Sequence, residues 1–437
     1  MQNAKGTMTS SARSLPKFGK PERKDLYRNK MMPRQRTRLQ KTHSIIVAAL
    51  TSLSIVALFA AKPAVASAFV KTERTQFVLD GKPFYVTGVN NHYLSWGSDA
   101  EVTQVLDDAV AMGANVVRTF LGTAIGSPDG EVALTIWKFH NDGANSSALN
   151  VHGHYFLYWD PSAHGMAINA SSMRKIDLLI AEAAKRRLRL ILTFLDFWSF
   201  TGGSYQMSSW YDLPTHQGAP WDTTNPAFFT DARVMADYQR WVKFVVERIN
   251  PLTEIAYRDD PTIFAWELMN EAHAPIGLRR QWEAQMAAYV KSLDRNHIVG
   301  AGDDYPIFDA PGIDFVTWHG YPKYLAITPD QFNNEITSKC RMAPLYQKPV
   351  VLEEFGYARS HPDQAKAYKM WLDTMAADSD CAGWLVWRLV SPQDDGQYPK
   401  DEVEQFDVHH DDGETWQVLS NAAHLGRKVA DDVGRSR

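Results

Sequence analysis

Apolar and polar positions along this chain change period repeatedly. Short runs rich in β-branched and aromatic residues recur at 85–89, 116–119, 190–194, 263–266, 298–301, 315–318, 350–353 and 384–387. Each run is short and largely apolar, which predicts a buried strand of a sheet covered on both faces. Between the runs the period lengthens. Met173, Ile176, Ile180 and Ala183 fall three and four apart, behind Ser171 and Ser172 as N-cap candidates. Met235, Tyr238, Val242 and Val245 mark one face of a second helix from Asp231 to about Asn250. Strands that alternate with helices run parallel, and eight of them close on themselves, so the predicted fold class is α/β, a (β/α)8 TIM barrel. Ahead of it, Gln76–Leu79, the turn Asp80-Gly81-Lys82 and Phe84-Tyr85-Val86 predict an N-terminal β-hairpin. Long βα loops are expected after strand two (121–169) and strand three (196–227), both rich in Gly, Asn, Trp and Tyr.

Two strands end in carboxylates. Trp266-Glu267-Leu268-Met269-Asn270-Glu271 closes the fourth, and Leu352-Glu353-Glu354-Phe355-Gly356 closes the seventh. Burying a carboxylate is costly unless it has partners or chemistry to perform. A single glutamate so placed would read as a salt-bridged strand end. Two at the C-terminal face of a barrel, where active sites are built, match the proton donor and the nucleophile or base of glycosidic cleavage. Glu271 and Glu354 are therefore the catalytic candidates. Glu353 should point to the other side of its strand from Glu354, and Glu267 lies inside its own; both are expected to be supporting groups.

Other strand ends add polar and aromatic groups. Arg118 ends strand two, where a buried guanidinium can hold a carboxylate ionised. That predicts an ionised Glu354 beside Arg118 and Tyr321, with the proton on Glu271. Asn270 can bond a sugar hydroxyl, although an Asn turn is the ordinary alternative. His319 and Tyr321 follow strand six, and Trp387 ends strand eight with an indole suited to the apolar face of a sugar. Trp198, Trp210, Trp221, Tyr93 and Tyr158 are further stacking candidates, competing with simple packing roles.

Charge divides the chain. Of 46 Lys/Arg and 50 Asp/Glu, the first 68 residues hold 13 and 2, leaving 33 and 48 for the remainder. A net charge of −15 on that remainder excludes nucleic acid or an anionic membrane as the main partner. Residues 1–43 read as a basic, disordered leader. The apolar stretch from Ser44 to Ala61, then Ala66-Ser67-Ala68, fits a signal peptide cleaved after Ala68; an uncleaved membrane anchor is the alternative. Cleavage implies a secreted or periplasmic protein of one domain, 69–437, expected to be a monomer. Export makes a disulfide possible for Cys340 and Cys381, the two cysteines of the chain. They precede strands seven and eight, which enter the barrel from the same N-terminal face, so a bridge there is expected.

No metal-ligand spacing and no phosphate or dinucleotide glycine loop occurs, so neither metal nor cofactor is expected. His409-His410 with Asp411-Asp412 reads as a solvated polar turn. Ser204 and Ser208 lack a G-x-S-x-G context, which excludes that class of serine hydrolase.

These residues resemble glycoside hydrolase family 5, among the retaining (β/α)8 glycosidases, and within it the endo-β-1,4-mannanases. The resemblance rests on Glu247-Arg248-Ile249-Asn250, on Ala256-Tyr257-Arg258-Asp259-Asp260-Pro261-Thr262-Ile263 running to Glu271, and on Lys348-Pro349-Val350-Val351-Leu352-Glu353-Glu354-Phe355-Gly356. It implies Glu271 as acid/base and Glu354 as nucleophile, supported by Arg118, Asn270, His319, Tyr321 and Trp387. It also implies a β-linked polysaccharide or oligosaccharide as substrate. Two departures fall at the substrate rim. Asp196-Phe197-Trp198 stands where the resemblance leads one to expect Asn-Asn-Trp, and Ala272-His273 follow Glu271 where proline is common. An endoglucanase, an exo-acting β-glycosidase and a non-catalytic carbohydrate-binding barrel are the alternatives; the last would require a missing glutamate.

Overall fold

All eight apolar runs are strands. The computed structural model describes residues 68–126, 155–214, 226–401 and 404–435. The strands are β1 (Val86–Asn90), β2 (Val116–Phe120), β3 (Arg189–Thr193), β4 (Ile263–Glu267), β5 (Ile298–Gly300), β6 (Val316–Gly320), β7 (Val350–Phe355) and β8 (Cys381–Val386). They pair in the order β5-β4-β3-β2-β1-β8-β7-β6, every ladder parallel. This is the sequential order of a (β/α)8 barrel. Among the described residues no ladder joins β5 to β6, and Asp314 spans that seam. Its Oδ2 accepts from Val299 N at 2.8 Å and its own N–H donates to Val299 O at 2.8 Å.

The outer layer contains α1 (Asp99–Met112), α2 (Met173–Arg186), α3 (Ala232–Val246), α4 (Ile276–Leu293), α5 (Pro329–Cys340), α6 (Gln364–Ala377) and α7 (Glu414–Arg435). Ser98 and Glu101 form a capping box at the start of α1, and α2 buries Met173, Ile176, Ile180 and Ala183 as their spacing predicts. The expected alternation fails once. Residues 301–315 join β5 to β6 without a helix. Gly302, Pro306, Pro311 and Gly312 fall in that segment, and both residue types break helices.

The N-terminal hairpin is a three-stranded antiparallel sheet of Lys71–Glu73, Gln76–Leu79 and Lys82–Phe84. It plugs the N-terminal end of the barrel. Phe77 is fully buried, with its ring edge-on to Phe264 at 5.0 Å and to Phe315 at 5.4 Å. The long loop after β2 carries a small sheet of Ala124–Ile125, Leu157–Asp160 and Gly165–Ile168. Its segment 127–154, the segment 215–225 with Trp221, and the leader through 67 lie outside the described residues. Cys340 ends α5 and Cys381 opens β8; they are disulfide-bonded with Cα atoms 4.9 Å apart, at the N-terminal end of the barrel as expected.

Candidate active site

The C-terminal ends of the strands bring the predicted groups together. Arg118, in β2 and fully buried, organises them. Its Nε donates to Glu267 Oε2 at 2.7 Å, and its Nη2 to Asn270 Oδ1 at 2.9 Å. Its Nη1 donates to Glu354 Oε1 at 2.5 Å and to Asn90 Oδ1 at 3.1 Å. Glu353 Oε2 also lies 3.5 Å from Arg118 Nε. Glu353 and Glu354 thus approach the same guanidinium, contrary to the expectation that they point to opposite sides. The reason is a register shift between β6 and β7, where Trp318 pairs with Leu352 but His319 pairs with Glu354. A bulge of this kind re-aims a side chain. Glu267 and Glu353 supply the base of the site. Burial pushes Glu267 up to about 8, with Arg118 opposing and Glu353 adding to the rise. Burial also acts to raise Glu353, but Arg118, Glu267 and His319 outweigh it and hold it below the usual range. The opposite shifts let the pair share one proton.

Glu271 stands just past β4. Its φ of 51° is left-handed, a region costly for a residue with a side chain and often found where function over-determines the backbone. Its N–H donates to Gly302 O at 2.7 Å. Gly302 itself has φ 86°, and a Cβ there would lie 2.5 Å from Met269 O, so this close approach of the two loops requires glycine. Both carboxyl oxygens are held: Trp198 Nε1 donates to Oε2 at 2.6 Å, and His319 Nδ1 lies 2.7 Å from Oε1. Across the cleft, Tyr321 donates to Glu354 Oε2 at 2.6 Å.

His319 is electrostatically coupled to Glu271. Burial acts to raise the Glu271 carboxyl, but the hydrogen bond and charge of His319, with the Trp198 indole, outweigh it and lower the carboxyl below its usual range. Burial acts to lower His319, but Glu354, Glu271 and Glu353 surround it and hold it well above the ordinary imidazole range. The two shifts run in opposite directions across one hydrogen bond, so they favour the imidazole over the carboxyl for a shared proton. Burial raises Glu354, with His319 and Arg118 opposing. Both its oxygens accept short hydrogen bonds, one from a cation, an environment that suits the carboxylate.

Glu271, His319, Glu354, Tyr321, Asn270, Trp198 and Trp387 all line one cavity of about 510 Å³. Arg118 lies beneath it. Three stacking candidates are not there; one, Tyr158, lies in the small sheet after β2 with its ring edge-on to Tyr155 at 5.7 Å. Trp210 is buried, with Nε1 donating to Gly126 O at 2.7 Å. Tyr93 is buried with its hydroxyl against Ser391. Both pack the fold. Trp387 faces the cleft and stacks on Phe120 at 5.9 Å. The structure adds lining residues that the strand patterns did not single out. Asp196, pushed up to about 7 by burial, accepts from Asn270 Nδ2 at 3.0 Å. Glu404, pushed up to about 7 by burial, accepts from Tyr324 at 2.5 Å. His273 and Asp304 complete the wall. Asn90, a polar strand end like Arg118, could have been found by that signal. Glu404 sits in an irregular loop where no signal exists. At His409 and Asp412 the Arg359 guanidinium donates to both side chains, filling that cluster.

Carboxyl oxygens of Glu271 and Glu354 lie within 4.8 Å of each other. One can deliver a proton to a bridging oxygen while the other meets the carbon beside it. A parallel barrel with this pair at its mouth defines a barrel glycoside hydrolase. Residues 160–381 match the family model described as GH family 5 beta-mannosidase-like, and the chain belongs to glycoside hydrolase family 5. It is 29% identical over 370 residues to mannan endo-1,4-beta-mannosidase 7 of Arabidopsis thaliana, covering 74% of this chain and 78% of that one. It is 28% identical to mannan endo-1,4-beta-mannosidase F of Aspergillus fumigatus, covering 78% and 74%. Among solved structures it resembles the endo-1,4-beta-mannanase of Rhizomucor miehei, with a TM-score of 0.68 and 27% identity over 83% of this chain and all of that one.

Proposed function

We propose that this glycoside hydrolase is a retaining endo-β-1,4-mannanase, with Glu354 as nucleophile and Glu271 as acid/base. The observation that carries the reading is the short gap between two carboxyls held by different partners. Retaining enzymes place the two groups about 5–5.5 Å apart, and inverting enzymes leave room for water at about 6.5–9.5 Å. In the first step Glu354 attacks the anomeric carbon as Glu271 protonates the departing oxygen. In the second, Glu271 takes a proton from water, which attacks the same carbon and releases Glu354. Arg118 and Tyr321 orient the Glu354 oxygens, and Trp387 offers a stacking face to the retained sugar. The choice of mannan rests on the named relatives. The leader, the A-S-A site and the disulfide support export with cleavage after Ala68, leaving 69–437 as the catalytic domain. No helix among the described residues is long and apolar enough to cross a membrane.

The test is hydrolysis of β-mannan, glucomannan, cellulose and β-1,3-glucan, with the anomer followed by NMR. Fast cleavage of mannan with β product first is expected. An initial α product would overturn the mechanism, and preference for a glucan would overturn the substrate.

A further inference from the structure

Glu271 is placed by its backbone as well as by the partners of its carboxyl, and that backbone is clasped on both sides. On one side its N–H donates to Gly302 O at 2.7 Å, which ties it to the loop after β5. On the other, the next residue, Ala272, is buried, and its carbonyl accepts from Arg279 Nη1 at 3.0 Å. Arg279 stands in the first turn of α4, 4% exposed, and it does not line the catalytic cavity. Its Nη2 donates to Tyr305 O, in the same loop that holds Gly302. One guanidinium thus bonds the loop after β4 and the loop after β5 at once. The guanidinium is itself held in place. Glu283, one turn further along α4, sets Oε1 3.2 Å from its Nε, and Asp303 Oδ2 lies 3.8 Å from its Nη2. Asp303 is anchored in turn, its N–H donating to Thr317 Oγ1 of β6 at 3.1 Å.

A buried charge is costly without partners or work. The planar fork of an arginine can span two acceptors that a point charge cannot. The need for such a span is local. Glu271 sits at φ 51°, a conformation that persists only where the surroundings over-determine it. Ala272 lacks the ring by which a proline would fix its own φ. The restraint comes from Arg279. It matters because a reacting group displaced by about 1 Å can lose on the order of a hundredfold in rate. We infer that Arg279 is the positioning residue of the acid/base: by joining Ala272 O to Tyr305 O it fixes the aim of the Glu271 carboxyl toward the departing oxygen. This rests on Glu271 being the acid.

The test uses two aryl β-mannobiosides that differ only in the acidity of the departing phenol, or the cellobiosides if the enzyme takes glucans. Dinitrophenolate leaves with little protonation, whereas an unsubstituted phenol needs the acid. kcat/KM reads the first step alone. A smaller share of folded enzyme lowers both values alike, so their ratio is blind to a purely structural loss. Two variants are made. Arg279→Lys keeps the charge facing Glu283 but cannot span both carbonyls. Arg279→Met combined with Glu283→Gln removes both charges of the ion pair, so neither is stranded. In both variants the ratio of kcat/KM, phenyl over dinitrophenyl, should fall roughly ten- to a hundredfold, in the direction of the larger fall given by Glu271→Gln. A ratio unchanged in either Arg279 variant, while Glu271→Gln lowers it, overturns the inference and leaves the acid assigned. A ratio unchanged in Glu271→Gln overturns the acid assignment, and the inference with it.

Discussion

His319 Nδ1 lies 2.7 Å from Glu271 Oε1, a contact across which the imidazole and the carboxyl can share one proton. Glu354, Glu271 and Glu353 raise His319 against the opposing effect of burial, and its hydrogen bond and charge lower Glu271. The pair therefore loses its proton only as pH rises through the elevated imidazole value. In His319→Gln the carboxyl carries the proton alone and releases it at lower pH. The basic limb of kcat/KM should move toward acid, and kcat at the optimum should fall about a hundredfold. A basic limb that stays in place would show that the proton is not held by this pair.

Arg118 should be irreplaceable for stability as well as for chemistry. Its guanidinium faces three buried carboxyls, those of Glu267, Glu353 and Glu354. Removing one partner from such a group costs about 3–5 kcal/mol because the remaining charge is stranded. Lysine cannot reproduce the planar fork. Denaturant unfolding of Arg118→Ala and Arg118→Lys should show losses of that order in both. A Lys variant within about 1 kcal/mol of wild type would show that charge alone suffices.

The barrel was legible because its strands are apolar on both faces and its helices are not, a contrast of period that survives in local sequence. Glu271 and Glu354 were legible for the same reason: a carboxylate at the end of an apolar strand is an anomaly. Aromatic roles were not. Trp198 and Trp210 share a loop and a residue type, but one indole reaches Glu271 and the other Gly126, a difference set by tertiary packing. The facing of Glu353 was hidden by a bulge, and the pairing of Glu271 with His319 by their distance in sequence. Such features depend on pairings between strands, which a local pattern does not encode.

The Cys340–Cys381 bridge should act on stability alone. It closes a loop with a sequence separation of 41 at the end of the barrel opposite the catalytic cleft. In the chain-entropy account this contributes roughly 3–4 kcal/mol. The double variant Cys340→Ser, Cys381→Ser should melt several degrees lower and retain its turnover at room temperature. A fall in turnover with no fall in Tm would reverse this assignment.

Glu283 should make the folded protein less stable as the solution becomes more alkaline. It lies in α4, 1% exposed and 3.2 Å from Arg279 Nε, and neither carboxyl oxygen accepts a hydrogen bond. Burial pushes it up to about 9, with Asp303 adding to the rise and Arg279 opposing it. Burial also pushes Asp303 up to about 6. The folded chain therefore binds these protons more tightly than the unfolded chain, whose carboxyls titrate near about 4. The stability they contribute is complete below that value and is lost as pH climbs through the folded values. Between about pH 5 and about pH 9, Tm should drop by several degrees, and Glu283→Gln, which is neutral throughout, should remove part of that slope, the raised carboxyls of Glu267, Asp196 and Glu404 supplying the rest. Melting curves across this interval check it; a slope unchanged by the substitution would place its origin in the other groups alone.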